Sequence, residues 1–253
     1  DMRGGNTVPR FFVPPSQIYD DEIVILGDDA RHIISSLRMR EGEEITVCDM
    51  NRRDYFCRIS TAFDGLVRAT VLGAAPSKTE FPMKIRLFQS VPKGDKFEYI
   101  VQKSVEMGIC EIIPVFSARC VVKPELTREA KKLERYRRIA YEAAKQCGRG
   151  IIPAVCSPMS FATAVGACCA DGTALICYEG EHNFSLRQAF EARKSDRATP
   201  ISFFIGPEGG YSEEEIELAE SVGIRPVSLG NRILRCETAS GFALACAAFA
   251  FEL

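Results

Sequence analysis

Two arginines three residues apart, Arg232 and Arg235, stand in the run Leu229-Gly230-Asn231-Arg232-Ile233-Leu234-Arg235-Cys236-Glu237-Thr238-Ala239, just ahead of an alanine-rich stretch. A guanidinium stays charged at every ordinary pH and presents a fork of donors, so such a pair can hold negative charge as it develops on a reacting group. Glu237 and Thr238 fall where the free amides of a starting helix need acceptors, and Glu237 is also the carboxylate nearest by motif to serve as general base. The two arginines can equally be solvated, or pair with the six acids between Glu208 and Glu220, a stretch that holds no base. Two further loops share this texture: Cys177-Tyr178-Glu179-Gly180-Glu181, and Gly206-Pro207-Glu208-Gly209-Gly210 after Ile205. Glycines at such places let a backbone come close to a bound group. An ordinary strand-to-helix turn carries them too.

The ligand these loops suit is not a nucleotide phosphate. No G-x-G-x-x-G and no G-x-x-x-x-G-K-[ST] occurs, and Glu208 would set a negative charge against a pyrophosphate while Pro207 offers no donor. Acid-rich loops favour a cationic or zwitterionic ligand. S-adenosylmethionine, with its sulfonium and ammonium, is of that kind.

The elements that must position these loops change character along the chain. Up to Gly73, short runs rich in β-branched and aromatic residues predict strands at Arg10–Val13, Ile23–Leu26, Glu44–Asp49, Tyr55–Ile59 and Leu66–Leu72, with turns at 51–54 and at Asp64-Gly65. One helix interrupts them, capped by Asp28 or Asp29, with Ile33, Ile34 and Leu37 as its apolar stripe. A small β-barrel over 1–75 is expected, then a polar, proline-bracketed linker over 76–83. From 84 to 253 strands alternate with helices, which predicts an α/β layer structure with a parallel sheet. Strands are expected at Ile85–Gln89, Glu111–Phe116, Ala174–Tyr178, Ile201–Ile205 and Val227–Leu229. Asp95 with Glu98, Thr127, and Ser212 with Glu215 are the expected helix starts, and Gly108, Gly148 and Gly223 the stops. The last helix should run from Glu237 to Phe251. In open sheets of this kind ligands bind beyond the carboxyl ends of the strands, where the three unusual loops lie.

With 253 residues, 46% hydrophobic and 26% charged, the chain reads as globular, one large or two modest domains. Its formal charge of −2 gives no global attraction to nucleic acid. One local patch stands out: between Arg128 and Arg149, eight basic residues, among them Arg135, Arg138 and Lys145, face three acids. That helix face is either solvated or an RNA contact. The 11 cysteines form no CxxC pair and only two histidines occur, so structural zinc spacing is missing and no metal is expected. Reduced core residues account for the cysteines. No apolar run reaches the ~18 residues of a membrane span, and Asp1–Thr7 lacks a signal-peptide pattern, which predicts a cytoplasmic protein.

The paired segments FFIGPEGGYSEEE and VSLGNRILRCETAS resemble the ribosomal RNA small subunit methyltransferase E family, in the SPOUT class of knotted methyltransferases. The resemblance extends to Pro9-Arg10-Phe11-Phe12-Val13, to His32-Ile33-Ile34-Ser35-Ser36-Leu37-Arg38, to Lys93-Gly94-Asp95-Lys96 and to Gln102–Gly108. Cys236 departs from it, standing where the family usually has Thr. The resemblance implies a PUA-like N-terminal barrel, a C-terminal α/β domain closed by a trefoil knot, and a homodimer that methylates N3 of one uridine near the 3′ end of 16S rRNA in the small ribosomal subunit. It implies S-adenosylmethionine as cofactor, held by Cys177, Tyr178 and Glu179, by Gly206, Pro207, Glu208, Gly209 and Gly210, by Ser228, Leu229 and Gly230, and by Ile233, Leu234 and Arg235. The candidate catalytic residues are Arg235 and Arg232 with Glu237, and the candidate RNA contacts Arg10, Arg38, Arg135, Arg138, Lys145 and Arg149. Cys236 is not expected to act as a nucleophile, since N-methylation needs no covalent enzyme intermediate. A ribose 2′-O or tRNA methyltransferase of the same class, and a non-catalytic RNA-binding protein on this fold, are the competing readings.

Overall fold

The structure, a computed structural model, describes residues 8–121, 126–168, 172–196 and 198–253, with 126–128 described only as helix backbone. The expectations that fall on Asp1–Thr7, on Thr127 as a cap and on Arg128 lie outside it. The chain packs as two compact units, one of Asp1–Glu80 with Lys145–Ile152, the other of Phe81–Ala144 with Pro153–Leu253.

In the first unit, β1 (Arg10–Phe12), β2 (Glu22–Leu26), β3 (Glu44–Cys48), β4 (Arg53–Phe63) and β5 (Leu66–Pro76) form one curled half-barrel sheet in the order β1-β3-β4-β5-β2. All pairs are antiparallel except β1 with β3. Alternation places Ile23 and Ile25, Ile45 and Val47, Cys57 and Ile59, Val67 and Ala69 on the buried face. Asp64 and Gly65 both take left-handed φ, +50° and +74°, as a tight hairpin between β4 and β5 requires. The expected aspartate cap is absent. Helix α1 (Gly27–Arg31) starts from Leu26 without a side-chain cap, and Asp28 and Asp29 lie in its first turn, pairing Arg31 and Lys145. The helix then widens into a π-helical turn over His32–Ser36, so the 3.6-residue spacing fails and Leu37 swings outward while Ile33 stays buried.

The second unit is a parallel sheet. Its strands are β6 (Ile85–Ser90), β7 (Glu111–Phe116), β8 (Ala154–Val155), β10 (Thr173–Cys177), β11 (Ile201–Ile205) and β12 (Arg225–Val227), ordered β12-β10-β11-β6-β7-β8, with the short β9 (Met159–Ser160) beside β7. The helices are α2 (Lys96–Glu106), α3 (Leu126–Gln146), α4 (Phe161–Cys168), α5 (Leu186–Glu191), α6 (Glu213–Ser221) and α7 (Cys236–Phe251). Phe88 and Phe204 stack at 4.4 Å across the sheet centre, with Phe161 and Tyr211 packed beside them.

The Ser212–Glu215 capping box forms in full. The Asp95 cap does not, because Asp95 lacks the extended backbone of a cap residue (φ −92°, ψ 7°) and its carbonyl, not its side chain, takes the Glu98 amide at 3.1 Å, while the Glu98 side chain turns to Arg135 at 2.7 Å. Two helices escape the sequence pattern: α4, short and alanine-rich, and α5, although the Ser185–Gln188 capping box of α5 is a legible local signal. The last strand ends at Val227, not Leu229, since Ser228 leaves the ladder to bond Phe184 and Leu186. No helix among the described residues is long and apolar enough to cross a membrane.

Candidate active site

Adjacency of β12, β10 and β11 brings three loops to one end of the second unit's sheet. Cys177 pairs with Ile205 on one side and Val227 on the other, so the chain leaves all three strands at the same height. The cleft between the loops is lined by Cys177, Tyr178 and Glu179, by Ile205, Gly206, Pro207 and Gly210, and by Ser228, Leu229, Gly230, Arg232, Ile233, Leu234, Cys236 and Ala239. Of the expected pocket residues, Glu208, Gly209 and Arg235 do not line it. Ile205, Cys236 and Ala239 do, and the sequence offers no signal for them beyond their place next to the motifs.

Two glycines shape this cleft. Gly210 has φ +66°, and a Cβ built there would sit 2.3 Å from Glu179 Oε1, so the loop closes on the carboxylate only because position 210 has no side chain. Gly230 has φ +109° and nothing within 4 Å of its absent Cβ, so the cleft stays open above it. None of the described residues hydrogen-bonds the backbone of Leu229, Ile233 or Leu234. Those unpaired amides and carbonyls are what the edge of a heterocycle needs, and the Glu179 carboxylate at the mouth suits a cationic group. The residues present therefore fit a cationic ligand carrying a heterocycle.

Glu208 faces away from the cleft and holds its loop in place. Its Oε1 accepts from Lys96 Nζ at 2.6 Å and from the Lys93 amide at 3.2 Å. On the other side of the loop, Arg119 Nη1 donates to the Gly209 carbonyl at 2.8 Å, and the Ala118 amide donates to Glu215 at 2.7 Å. Burial works to raise the Glu208 carboxyl, but the ammonium of Lys96 and the amides of Lys93 and of Glu208 itself outweigh it, and it lies below the usual carboxylate range. Lys96 and Arg119 are not among the site residues expected from the sequence. The run Lys93-Gly94-Asp95-Lys96 carries a signal for the first of them only.

Arg235 is the N-cap residue of α7, its carbonyl accepting from Thr238 and Ala239, while its side chain is exposed. Arg232 is exposed and lines the cleft. Between them Ile233 is 90% exposed, an isoleucine left in solvent beside the cleft mouth. Glu237 follows in the first turn of α7. Burial pushes its carboxyl up, but its own amide, the Cys236 thiol, Lys96 and Arg235 outweigh this and hold it low. A carboxylate held low is a weak base, so Glu237 suits the helix start and the charge of Arg235 better than removing a proton. The Cys236 thiol donates to Glu237 Oε2 at 3.1 Å, and burial together with that carboxylate pushes it up to about 12.

The expected RNA contacts fare unevenly. Arg149 requires correction: its side chain is 3% exposed and binds Glu80 in bidentate fashion, Nε to Oε1 at 2.9 Å and Nη2 to Oε2 at 2.7 Å. An arginine sealed under its own unit with a carboxylate on its fork has nothing left to offer a phosphate. Arg10 donates to Asp54 at 2.7 Å, Lys145 pairs Asp29, and Arg135 pairs Glu98. Arg38, at φ +54°, and Arg138 are exposed.

Residues 79–248 match the model of an RNA methyltransferase domain, and residues 25–71 that of an RNA methyltransferase PUA domain. The ribosomal RNA small subunit methyltransferase E of Bacillus subtilis (strain 168) is 34% identical over 232 residues, 90% of each chain. That of Synechocystis sp. is 32% identical over 93% of this chain and 76% of its own. Among solved structures, a ribosomal RNA small subunit methyltransferase E from Neisseria gonorrhoeae bound to S-adenosyl methionine superposes with a TM-score of 0.81 at 31% identity, over 96% of this chain and 97% of that one.

Proposed function

Since the chain belongs to the ribosomal RNA small subunit methyltransferase E family, we propose that it transfers the methyl group of S-adenosylmethionine to N3 of one uridine in the 16S rRNA of the small ribosomal subunit. The observation that carries this reading is the cleft itself. Three glycine-bearing loops meet there, with unpaired backbone at Leu229, Ile233 and Leu234 and a carboxylate at the mouth. S-adenosylmethionine supplies an activated methyl on a sulfonium.

The chain's own residues do the rest. N3 of uracil carries a proton and becomes nucleophilic only when that proton passes to solvent, with charge spreading onto O2 and O4; the anion then takes the methyl as its bond to sulfur breaks and a neutral thioether leaves. Arg232 at the cleft and Arg235 at the start of α7 offer the guanidinium donors that this anion needs. The loops position the reacting atoms, an effect worth on the order of 7–11 kcal/mol in ideal model systems. The uridine must first be unstacked from folded rRNA, costing a few kcal/mol, which contacts elsewhere on the RNA have to offset.

Two further expectations belong to this reading. The bond of Ser228 with Phe184 and Leu186 draws the chain after β12 alongside the loop after β10, the juxtaposition a trefoil knot requires. Exposed Phe242 and Phe249 on α7 border a large apolar cavity with Phe190 and Cys246, a face suited to a second copy in a homodimer. On this reading the protein works in the cytoplasm.

Calorimetry with S-adenosylmethionine tests the cleft: wild type should bind, and Gly206→Arg and Gly230→Arg should not, while both remain folded. Mass spectrometry of nucleosides then tests the product, which should be 3-methyluridine in 16S rRNA. Binding unchanged in both variants, or a ribose-methylated product, refutes the reading.

A further inference from the structure

In the first unit, three of the four cations expected as RNA contacts are spent on carboxylates of the protein, Arg10 on Asp54, Lys145 on Asp29 and Arg149 on Glu80, while Arg38 is exposed. Three further exposed cations stand close together. Arg52, Arg53 and Lys78 are exposed, and none is paired with a carboxylate among the described residues.

Backbone register gathers these three. Arg53 stands opposite Pro76 in the β4–β5 ladder, and Asp54 opposite Ala75. Successive side chains alternate between faces in the ladder, so Arg53 shares a face with Pro76 and Asp54 with Ala75, and the chain leaves β5 through Ser77 to a bend at Lys78. Side-chain geometry agrees: Arg10 Nη2 donates to Asp54 at 2.7 Å and to Ser77 Oγ at 3.4 Å on one face, while the Arg53 guanidinium lies over the Tyr55 ring, 5.7 Å from its centroid, on the other. Lys78, two residues past Pro76, therefore stays next to the Arg52–Arg53 end of β4, where the Ser77 amide is bonded to the Arg52 carbonyl.

Arg52 is held at the end of this row by a turn that only specific bonds maintain. Met50 and Arg52 both have left-handed φ, +60° and +66°, a region that costs a residue with a side chain and that glycine would occupy freely. Asp49 Oδ1 accepts from the amides of Asn51 and Arg53 at 2.7 and 3.1 Å. The Arg52 amide donates to the Gly150 carbonyl at 3.0 Å, and its carbonyl accepts from Ser77 at 2.8 Å. The turn thus keeps a guanidinium where conformation alone favours glycine.

We propose that this rim of the half-barrel, Arg52, Arg53 and Lys78, takes the phosphate backbone of the substrate RNA. The inference rests on the RNA-methylating reading above and names the surface through which the first unit serves it. The match of residues 25–71 to an RNA methyltransferase PUA domain favours RNA over an acidic protein as the occupant. Phosphate contacts of this sort set affinity and register without reading sequence.

The test is the triple variant Arg52→Ala/Arg53→Ala/Lys78→Ala in the full-length protein, compared with Arg58→Ala/Arg68→Ala, which removes two exposed arginines paired with Glu44 and Glu22. Binding is read by fluorescence anisotropy on a single-stranded oligoribonucleotide from the 3′ region of 16S rRNA, over a salt series. The triple variant should bind at least tenfold more weakly, and its salt slope should fall by about 2, at roughly 0.7 for each phosphate that is no longer neutralised. S-adenosylmethionine affinity and melting temperature should stay at wild-type values. Equal weakening in the control pair, an unchanged slope, or equal competition by polyglutamate overturns the proposal. Methylation by the wild type separates the two readings: if it methylates small subunits and the triple variant does so with unaltered KM, only the rim assignment fails. If the wild type methylates no RNA, the parent reading fails first.

Discussion

The ammonium of Lys96 lies 2.6 Å from the carboxylate of Glu208, and this bond ties the first turn of α2 to the loop that follows β11. Both side chains are partly exposed, so the pair adds little to stability. Its effect is on the shape of the loop that walls the cleft. Lys96→Met should therefore leave the melting temperature nearly unchanged while raising the dissociation constant for S-adenosylmethionine severalfold. The Glu208 carboxyl is held low by this contact, so the tie persists at mildly acidic pH and is lost only as pH falls through that depressed value. A titration of donor binding from pH 7 downward checks it; weakening already near neutrality would count against it.

Gly210 and Gly223 separate crowding from conformation. Both have left-handed φ, but a Cβ at Gly210 runs into Glu179 whereas one at Gly223 meets nothing. Gly223→Ala should cost about 1–2 kcal/mol of stability and leave donor binding intact. Gly210→Ala should carry the same backbone cost and in addition lower donor affinity at least tenfold. Paired with Glu179→Ala, it should regain part of its stability, which urea denaturation of the single and double variants would show.

Arg235→Lys keeps the charge but removes the fork. If the guanidinium stabilises the uracil anion, kcat should fall by about 10²–10³, or about 2.7–4 kcal/mol, with donor affinity unchanged. Rapid-quench single-turnover measurements would isolate that step. A change confined to KM for RNA would move Arg235 from charge stabilisation to binding.

The buried pair in the first unit bears on its stability. Glu80 accepts from Arg149 and also from the amides of Gly150 and Ile151, at 2.7 and 3.2 Å. Glu80→Ala strands a buried guanidinium and should destabilise by about 3–5 kcal/mol, whereas Glu80→Met/Arg149→Met should lie much closer to wild type. Denaturant midpoints of the three proteins decide it.

Alkaline pH should loosen the fold through its thiols. Cys57, Cys156, Cys177 and Cys236 are pushed by burial from the ordinary 9.0 to about 12, with neighbouring carboxylates adding to the effect at Cys156 and Cys236. In the unfolded chain these thiols ionise first, so the stability they contribute is whole below about pH 9 and declines as pH rises toward about 12. Melting temperatures measured across that window should fall less steeply for Cys57→Ala and Cys177→Ala. At neutral pH, Cys236 should resist iodoacetamide as long as the protein is folded.

Much is legible in the chain. Period-two alternation determines the inward faces of β2 to β5, and the Ser212–Glu215 box and the glycine stops determine where helices begin and end, because those signals are local and act within a few residues. The loops after β10, β11 and β12 are legible as unusual for the same reason. Tertiary structure alone decides which of their residues meet: that Glu208 turns outward to Lys96, that Arg149 is sealed against Glu80 and not offered to a ligand, and that residues 145–152 pack with the first 80. Pairing partners 69 or 112 positions away leave no periodic trace in the sequence. A basic residue looks the same in the chain whether its charge faces solvent or a carboxylate, and only the folded backbone, by setting which side chains come within hydrogen-bonding distance, separates the two.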